Sequence, residues 1–344
     1  MEFLIGRTED FGNFLNSINK KDRVAVISHT DLDGVASVLL IKELLKTKKI
    51  KIRSLHFIDY KNGMLKDIHE ELSLEKISKI FMLDINVTSD YEEFENFKKE
   101  FDVFLVDHHP SEIKKGKNII KTETENCTTF VLCELGKNII NFDKWKPLIC
   151  ATMISEFSFN SQENLEFIKT IYPEVSKENI LTSVPAILSQ KITSALIFFR
   201  KKEKKVLNLL LKNKLKKFEK YHKIIDEEIK HTLEEFRKNA EFYPEKNIYF
   251  YYHTPRFNVN SIIATILSIE EKEKTFILVS NIEDRKEFVS VSSRNQSGNV
   301  DLNELMKKGI NGLENANAGG HIKASGANFM KRDLEKFKKN ILEQ

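Results

Sequence analysis

Four short apolar runs within the first 110 residues constrain this chain more than any other feature. Arg23–Ser28 (RVAVIS), Lys51–Phe57 (KIRSLHF), Lys79–Leu83 (KIFML) and Asp102–Val106 (DVFLV) are rich in Val, Ile, Leu and Phe and have the length of strands. Helix-type spacing with charged outer faces occupies Gly34–Lys46 and Tyr91–Lys99 between them. Strands that alternate with helices pack as βαβ units. The expectation is therefore an α/β first domain, a mostly parallel sheet with helices on both faces. Ligands of such sheets bind beyond the carboxyl ends of the strands, and in this sequence those ends carry the chemistry.

The first run leads into His29-Thr30-Asp31-Leu32-Asp33-Gly34, the third ends at Asp84, and the fourth ends at Asp107-His108-His109-Pro110. One edge of the sheet thus collects His29, Asp31, Asp33, Asp84, Asp107, His108 and His109. A single Asp in a loop after a strand is more often a helix N-cap than a ligand. Four carboxylates gathered at one edge are another matter, because they repel one another unless a cation neutralises them. Carboxylates and imidazoles without a thiolate suit Mn²⁺ or Mg²⁺ better than structural zinc.

Beyond this region the pattern turns helical, from about Asn164 to Glu241. Within it, Arg200–Lys220 holds ten basic residues against two acidic ones. Two readings stand for that stretch: a solvated helix with an apolar stripe of Val206, Leu209, Leu210 and Leu215, or a positive wall facing nucleic-acid phosphates. The whole chain of 344 residues carries a formal charge of only +4, so any nucleic-acid contact must come from a local patch. A second αβ segment follows, with strand-like runs at Asn247–His253, Thr275–Ser280 and Lys286–Ser293 and a helical Asn258–Glu270. A Gly-rich turn at Ala318–Gly326 (AGGHIKASG) and a basic amphipathic helix, Arg332–Leu342, complete it. The expected organisation is a first domain over 1–165, a helical connector over 166–241 and a smaller C-terminal αβ domain over 242–344. The consecutive aromatics Tyr249, Phe250, Tyr251 and Tyr252 point two each way on one strand, in a core-plus-edge role.

Several classes are set aside by composition. No apolar run reaches the roughly 18–20 residues that span a bilayer, and the N-terminal sequence lacks a secretory pattern. Cys127, Cys133 and Cys150 are odd in number and form no C-x-x-C pair. They read as small buried hydrophobes in a chain of the reducing cytoplasm, with no membrane partner.

Taken together, HTDLDG, the strand-terminal Asp84, DHHP and the distal GGHIKASG resemble the DHH phosphoesterase superfamily, in its subgroup with a DHH-associated C-terminal domain. RecJ-type single-strand exonucleases, nanoRNases with pAp phosphatase activity and cyclic-dinucleotide phosphodiesterases belong there. The resemblance implies a two-ion site for Mn²⁺, or Mg²⁺. In it His29 and Asp31 hold one ion, Asp33 and His108 the other, and Asp84 bridges them. It gives Asp107 and His109 the task of orienting imidazole and contacting phosphate. The family's further Asp ligand has no counterpart in Leu148–Phe159 (LICATMISEFSF), where Glu156 is the available carboxylate. In the second domain the resemblance assigns substrate contacts to Ser293, Arg294, Gly319 and Gly320, and contact with the scissile region to His321. Ala318 stands where the family has a third glycine. The implied activity is RecJ-like hydrolysis of single-stranded DNA or RNA from an end. Two alternatives remain open: action on very short oligonucleotides, and a nuclease-poor scaffold subunit of a replication or RNA-processing complex.

Overall fold

A computed structural model of the chain describes residues 1–59, 63–111, 113, 115–282 and 285–343. It forms two compact units, Met1–His222 and Lys223–Gln344. Among the described residues no helix is long and apolar enough to cross a membrane.

The first unit contains β1 (Phe3–Ile5), α1 (Thr8–Ser17), β2 (Val24–His29), α2 (Leu32–Thr47), β3 (Ile52–Ile58), α3 (Lys66–Leu74), β4 (Lys79–Leu83), α4 (Tyr91–Glu100), β5 (Asp102–Asp107) and β6 (Ile119–Thr122). Helices α5 (Thr128–Gly136), α6 (Lys146–Ser155), α7 (Gln162–Ile171), α8 (Val184–Phe198) and α9 (Glu203–Leu211) follow, and α10 (Phe218–Asn239) crosses the boundary between the units. The six strands lie in the order β1-β6-β5-β4-β2-β3, all parallel except β1, which runs antiparallel to β6. Alternation along β2 and β4 sends Val24, Val26, Phe81 and Leu83 into one core with α1, α2 and α5. Ala25, Ile27, Ile80 and Met82 go into a second core, which Ile68 and Leu72 of α3 and Phe94 and Phe97 of α4 complete. Helices therefore cover both faces, as the strand–helix alternation required. Helix α2 is buried on nearly all sides, which explains its almost unbroken apolar sequence.

From β2 the chain passes outward to β3 and then back across β2 to β4, so the strand order reverses between β2 and β4. Ser28 pairs with Leu83 and Leu83 with Val106. The next residues, His29, Asp84 and Asp107, consequently end three neighbouring strands at one level. The segment expected as a connector is shared out. Ile168, Ile192, Ala195, Val206, Leu207 and Leu210 join the first core, whereas Leu215, expected in the apolar stripe, is 37% exposed.

In the second unit, β7 (Glu241–Tyr243), β8 (Ile248–His253), α11 (Asn260–Glu270), β9 (Thr275–Ile282), β10 (Arg285–Arg294), α12 (Leu302–Gly309), β11 (Asn317–His321), β12 (Ala324–Met330) and α13 (Leu334–Leu342) build a sheet in the order β11-β12-β10-β9-β8-β7. Only β8 and β9 are parallel, joined by α11. Ile277, Val279, Val289, Val291 and Phe329 form a core with α12 and α13. Tyr251 is buried and Tyr249 stacks on Phe276 at 5.4 Å, both against Phe236 of α10. The Gly-rich stretch 318–326 is not a turn: its two halves are the paired strands β11 and β12 around a short connection at Ile322–Lys323. Small residues let these strands approach closely. At Gly320, with φ +145°, a Cβ would lie 2.5 Å from the Ala324 carbonyl oxygen.

Candidate metal centre and substrate face

The site of the first unit is built at the point where the strand order reverses. Strand β2 delivers His29, and Asp31 caps α2 by accepting a hydrogen bond from the Gly34 N–H at 2.9 Å. Gly34 permits this tight entry, because a Cβ there would sit 2.2 Å from the His29 carbonyl oxygen. His29 Nδ1 lies 2.8 Å from Asp31 Oδ2 and 3.8 Å from Asp84 Oδ2. Asp84 occupies the left-handed region at φ 58°, a conformation that Asp tolerates better than most residues. Its Oδ1 stands 3.4 Å from His108 Nε2 and 3.8 Å from His109 Nδ1.

Two donor groups result, His29–Asp31–Asp84 and Asp84–His108–His109, each with its ligand atoms within 4.8 Å of one another. Asp84 belongs to both. Asp33 and Glu156, expected as ligands, lie outside these groups. The Asp33 carboxylate accepts from the Thr128 and Thr129 N–H groups at 2.7 and 2.8 Å, at the N-terminus of α5, and stands 3.8 Å from His108 Nε2. Glu156 follows the end of α6, where burial, and then Asp31 and Asp33, push its carboxyl well above the usual range.

Charge is concentrated here. Burial, and then Asp33 and Asp31, raise the Asp84 carboxyl well above the ordinary carboxylate range. Burial would do the same to Asp31, but the charge and hydrogen bond of His29 and the Gly34 N–H hold it well below that range. Asp107 is likewise held low against its burial, by His109 at 2.8 Å and by Lys121 at 2.5 Å. Lys121 Nζ also donates to the His109 carbonyl, so one buried lysine fixes both residues. Sequence reasoning missed Lys121, and the four-residue β6 that carries it gave little signal. It also missed the α5 N-terminus that receives Asp33. A cavity of about 230 Å³ adjoins His108, His109 and Lys121.

The donor set fits a hard divalent cation. His108 is buried, burial lowers its pKa, and Nε2 faces the Asp84 and Asp33 carboxylates without a hydrogen-bond partner. An imidazole lone pair turned toward carboxylates is an arrangement that a cation resolves. The nearby Cys127 is no rival ligand, since burial, and then Asp33, raise its thiol well above the usual range. Cys133 and Cys150 are also free and buried.

The remaining expected residues lie in the second unit. Arg294, Ala324 and His321 are directly opposite one another on β10, β12 and β11, so their side chains share one face. Ser292, Gly326 and Gly319 form the next row, and a Cβ on Gly319 would meet nothing within 4 Å. Arg294 donates to the Ser293 carbonyl and to Ser261 Oγ at 2.8 and 2.7 Å, with no carboxylate partner among the described residues. Burial lowers its pKa. Ser293 points to the opposite, buried face and donates to the Ser325 carbonyl at 2.9 Å. Ala318, the family's missing glycine, packs against the second unit's core.

Comparison with known proteins places this architecture. The model of the DHH family N-terminal domain matches residues 23–168, and that of the DHHA1 domain matches 248–344. RecJ from Thermus thermophilus in complex with Mn²⁺ superposes with a TM-score of 0.71 at 15% identity, over 98% of this chain and 54% of that one. The chain thus spans about half the length of that protein, which has also been solved with Mg²⁺. An exonuclease RecJ bound to manganese gives 0.71 at 15% identity over 98% and 93% of the two chains. CDC45 from Entamoeba histolytica gives 0.55 at 11% over 98% and 99%. Identities this low speak to fold alone. Among curated proteins none matches the sequence. The chain belongs to the DHH superfamily, with an N-terminal DHH domain, a C-terminal DHHA1 domain and a RecJ-like fold.

Proposed function

We propose that this protein is a Mn²⁺-dependent phosphodiesterase that hydrolyses single-stranded DNA or RNA from an end, with Mg²⁺ as the other candidate ion. The observation that carries the reading is the sharing of Asp84 between two donor groups. His29 and Asp31 with Asp84 would hold one ion, and His108 with Asp84 the other. Asp33, 3.8 Å from His108 Nε2, would add its carboxylate beside them. Bound divalent ions supply Lewis acidity for the transfer of a phosphoryl group to water. The chain's own residues prepare that chemistry. Asp107, locked by Lys121, sets the orientation of His109. Arg294 offers a planar fork free of carboxylates to a phosphate. Gly319 leaves the strand backbone beside His321 open to close approach.

A second reading, a subunit that binds single strands without cutting them, is favoured by one observation, the position of Glu156 outside both donor groups. Digestion of end-labelled DNA and RNA of about 3, 6 and 20 nucleotides with Mn²⁺ separates the cases, since these lengths bracket single-strand site sizes. A ladder from one end of the longest strand is the expected result. Cleavage confined to the shortest strand makes the protein a short-oligonucleotide enzyme. Binding without cleavage makes it a scaffold.

A further inference from the structure

Nine non-glycine residues among the described ones have a left-handed φ. Seven are Lys or Asn, and the other two are Asp84 and Phe157. Phe157 is the only bulky apolar residue in this set, and it follows Glu156 directly. It occupies the position just past the end of α6, where its N–H donates to the Ile154 carbonyl at 3.2 Å with φ 55° and ψ 22°. Helices that end this way favour glycine at that position, because a Cβ is penalised there. Burial does not compensate, as Phe157 remains 47% exposed and, among the described residues, neighbours one aromatic ring, Phe159, with centroids 5.7 Å apart.

The turn is fastened beside the donor cluster. Asn164, which is buried, donates to the Ser158 carbonyl at 3.1 Å and to the Glu125 carbonyl at 2.8 Å. Glu125 precedes the α5 N-terminus, whose N–H groups hold Asp33. A half-exposed aromatic ring thus belongs to the residue next to Glu156, whose carboxyl lies within electrostatic reach of Asp31 and Asp33, in a backbone conformation that a stability-driven choice would give to glycine. Strain of this kind, held by surrounding hydrogen bonds, points to a role with a ligand.

We propose that Phe157 is the platform on which a nucleobase of the substrate stacks, making it a substrate-binding residue of the site. This rests on the phosphodiesterase reading above, and it adds that the substrate is recognised through a base as well as its phosphate. Base–aromatic stacking tolerates any base, because every base has a π-face.

The test compares a dinucleotide with its counterparts in which one or the other base is replaced by hydrogen. KM and kcat are measured with Mn²⁺ for wild type and for Phe157→Gly, Phe157→Leu and Phe157→Tyr. The wild type should favour the complete dinucleotide over one of the abasic forms. That preference, read as a ratio of KM values, should fall about tenfold in the Gly and Leu variants and persist in the Tyr variant. The thermal midpoint of Phe157→Gly should match or exceed that of the wild type. An unchanged ratio in the Gly and Leu variants overturns the proposal. So does a lower midpoint for Phe157→Gly with an unchanged ratio, since Phe157 is then a packing residue. If the wild type cuts only a strand of about 20 nucleotides, the same comparison is made on that strand with and without its terminal base. If it cuts neither that strand nor any of the dinucleotides, the phosphodiesterase reading falls and takes the proposal with it, an outcome told apart because the wild type itself is inactive.

Discussion

Asp84 combines a left-handed backbone with a carboxyl that is 1% exposed and surrounded by acidic neighbours. Asn keeps the shape of the side chain and tolerates the same backbone region, but it removes the charge. Asp84→Asn should therefore raise the melting midpoint of the metal-free protein, because it removes a buried carboxyl and its repulsion with Asp33, Asp31 and Glu156. It should also abolish hydrolysis and the stabilisation by Mn²⁺, which at a hundredfold excess over Kd amounts to about 2.7 kcal/mol for one site. A variant that keeps the full Mn²⁺-induced shift would remove Asp84 from both donor groups. Lys121 calls for the opposite expectation. Replacing it with Met leaves the Asp107 charge buried without its cation, at a cost of ~3–5 kcal/mol, and urea denaturation measures this directly. Adding Asp107→Asn should recover part of the loss, and failure to recover any would mean that Lys121 acts by packing alone. Neither feature was legible beforehand. A lysine within Ile119–Thr122 reads as the outward face of a short strand, and a positive φ leaves no mark in sequence.

At the scale of elements, the strands that carry His29, Asp84 and Asp107 were legible because each is a run of apolar residues that stops at a polar one. The observed β2, β4 and β5 differ from those runs by a residue or less at either end. Strands β1 and β6 were not legible, being three and four residues long, and their pairing depends on tertiary context more than on propensity. The 318–326 stretch misled for another reason: Gly320 and Gly326 serve close strand approach, whereas isolated glycines usually mark turns. Helices α3 and α4 are tied together by His69, whose Nδ1 lies 2.8 Å from Glu93 and whose Nε2 lies 2.8 Å from Glu100. Burial would lower the His69 pKa, but the two hydrogen-bonded carboxylates raise it above 6.5. A raised folded-state value means that the folded protein holds the proton more tightly. The stabilisation is thus complete below 6.5, down to where Glu93 and Glu100 protonate, and is lost as pH rises through the folded-state value. Thermal unfolding of the wild type and His69→Gln should differ by ~0.5–1 kcal/mol in mildly acidic buffer. The two should converge in alkaline buffer. A gap independent of pH would rule out the ionised pair.

For the whole molecule, the near balance of charge decides how a polyanion can be held. With a formal charge of +4 spread over 344 residues, long-range attraction is weak, and any single strand held as proposed above would need a local track. Lys212, Lys214, Lys216 and Lys217 meet that need: all four are exposed, and none has a salt-bridge partner among the described residues. They follow α9, whose Val206, Leu207 and Leu210 anchor the segment in the first core, so the charges sit on a fixed base. If they track phosphates, replacing all four with Gln should weaken binding of a strand of about 20 nucleotides, which is longer than a single-strand site. It should also flatten the salt dependence by ~0.7 in log–log slope for each phosphate that is no longer held. The loss should grow with strand length. Four Gln substitutions also bring the formal charge to zero, so the effect needs a control that changes charge equally. Lys20, Lys21, Lys49 and Lys51 are exposed in the same unit and serve as that control. Lys and Gln have similar helix propensities, so unfolding does not confuse the comparison. A steeper loss for the first set than for the control identifies a track. Equal slopes for both sets mean that the lysines act only through net charge, and no change in either makes the segment a solvated face.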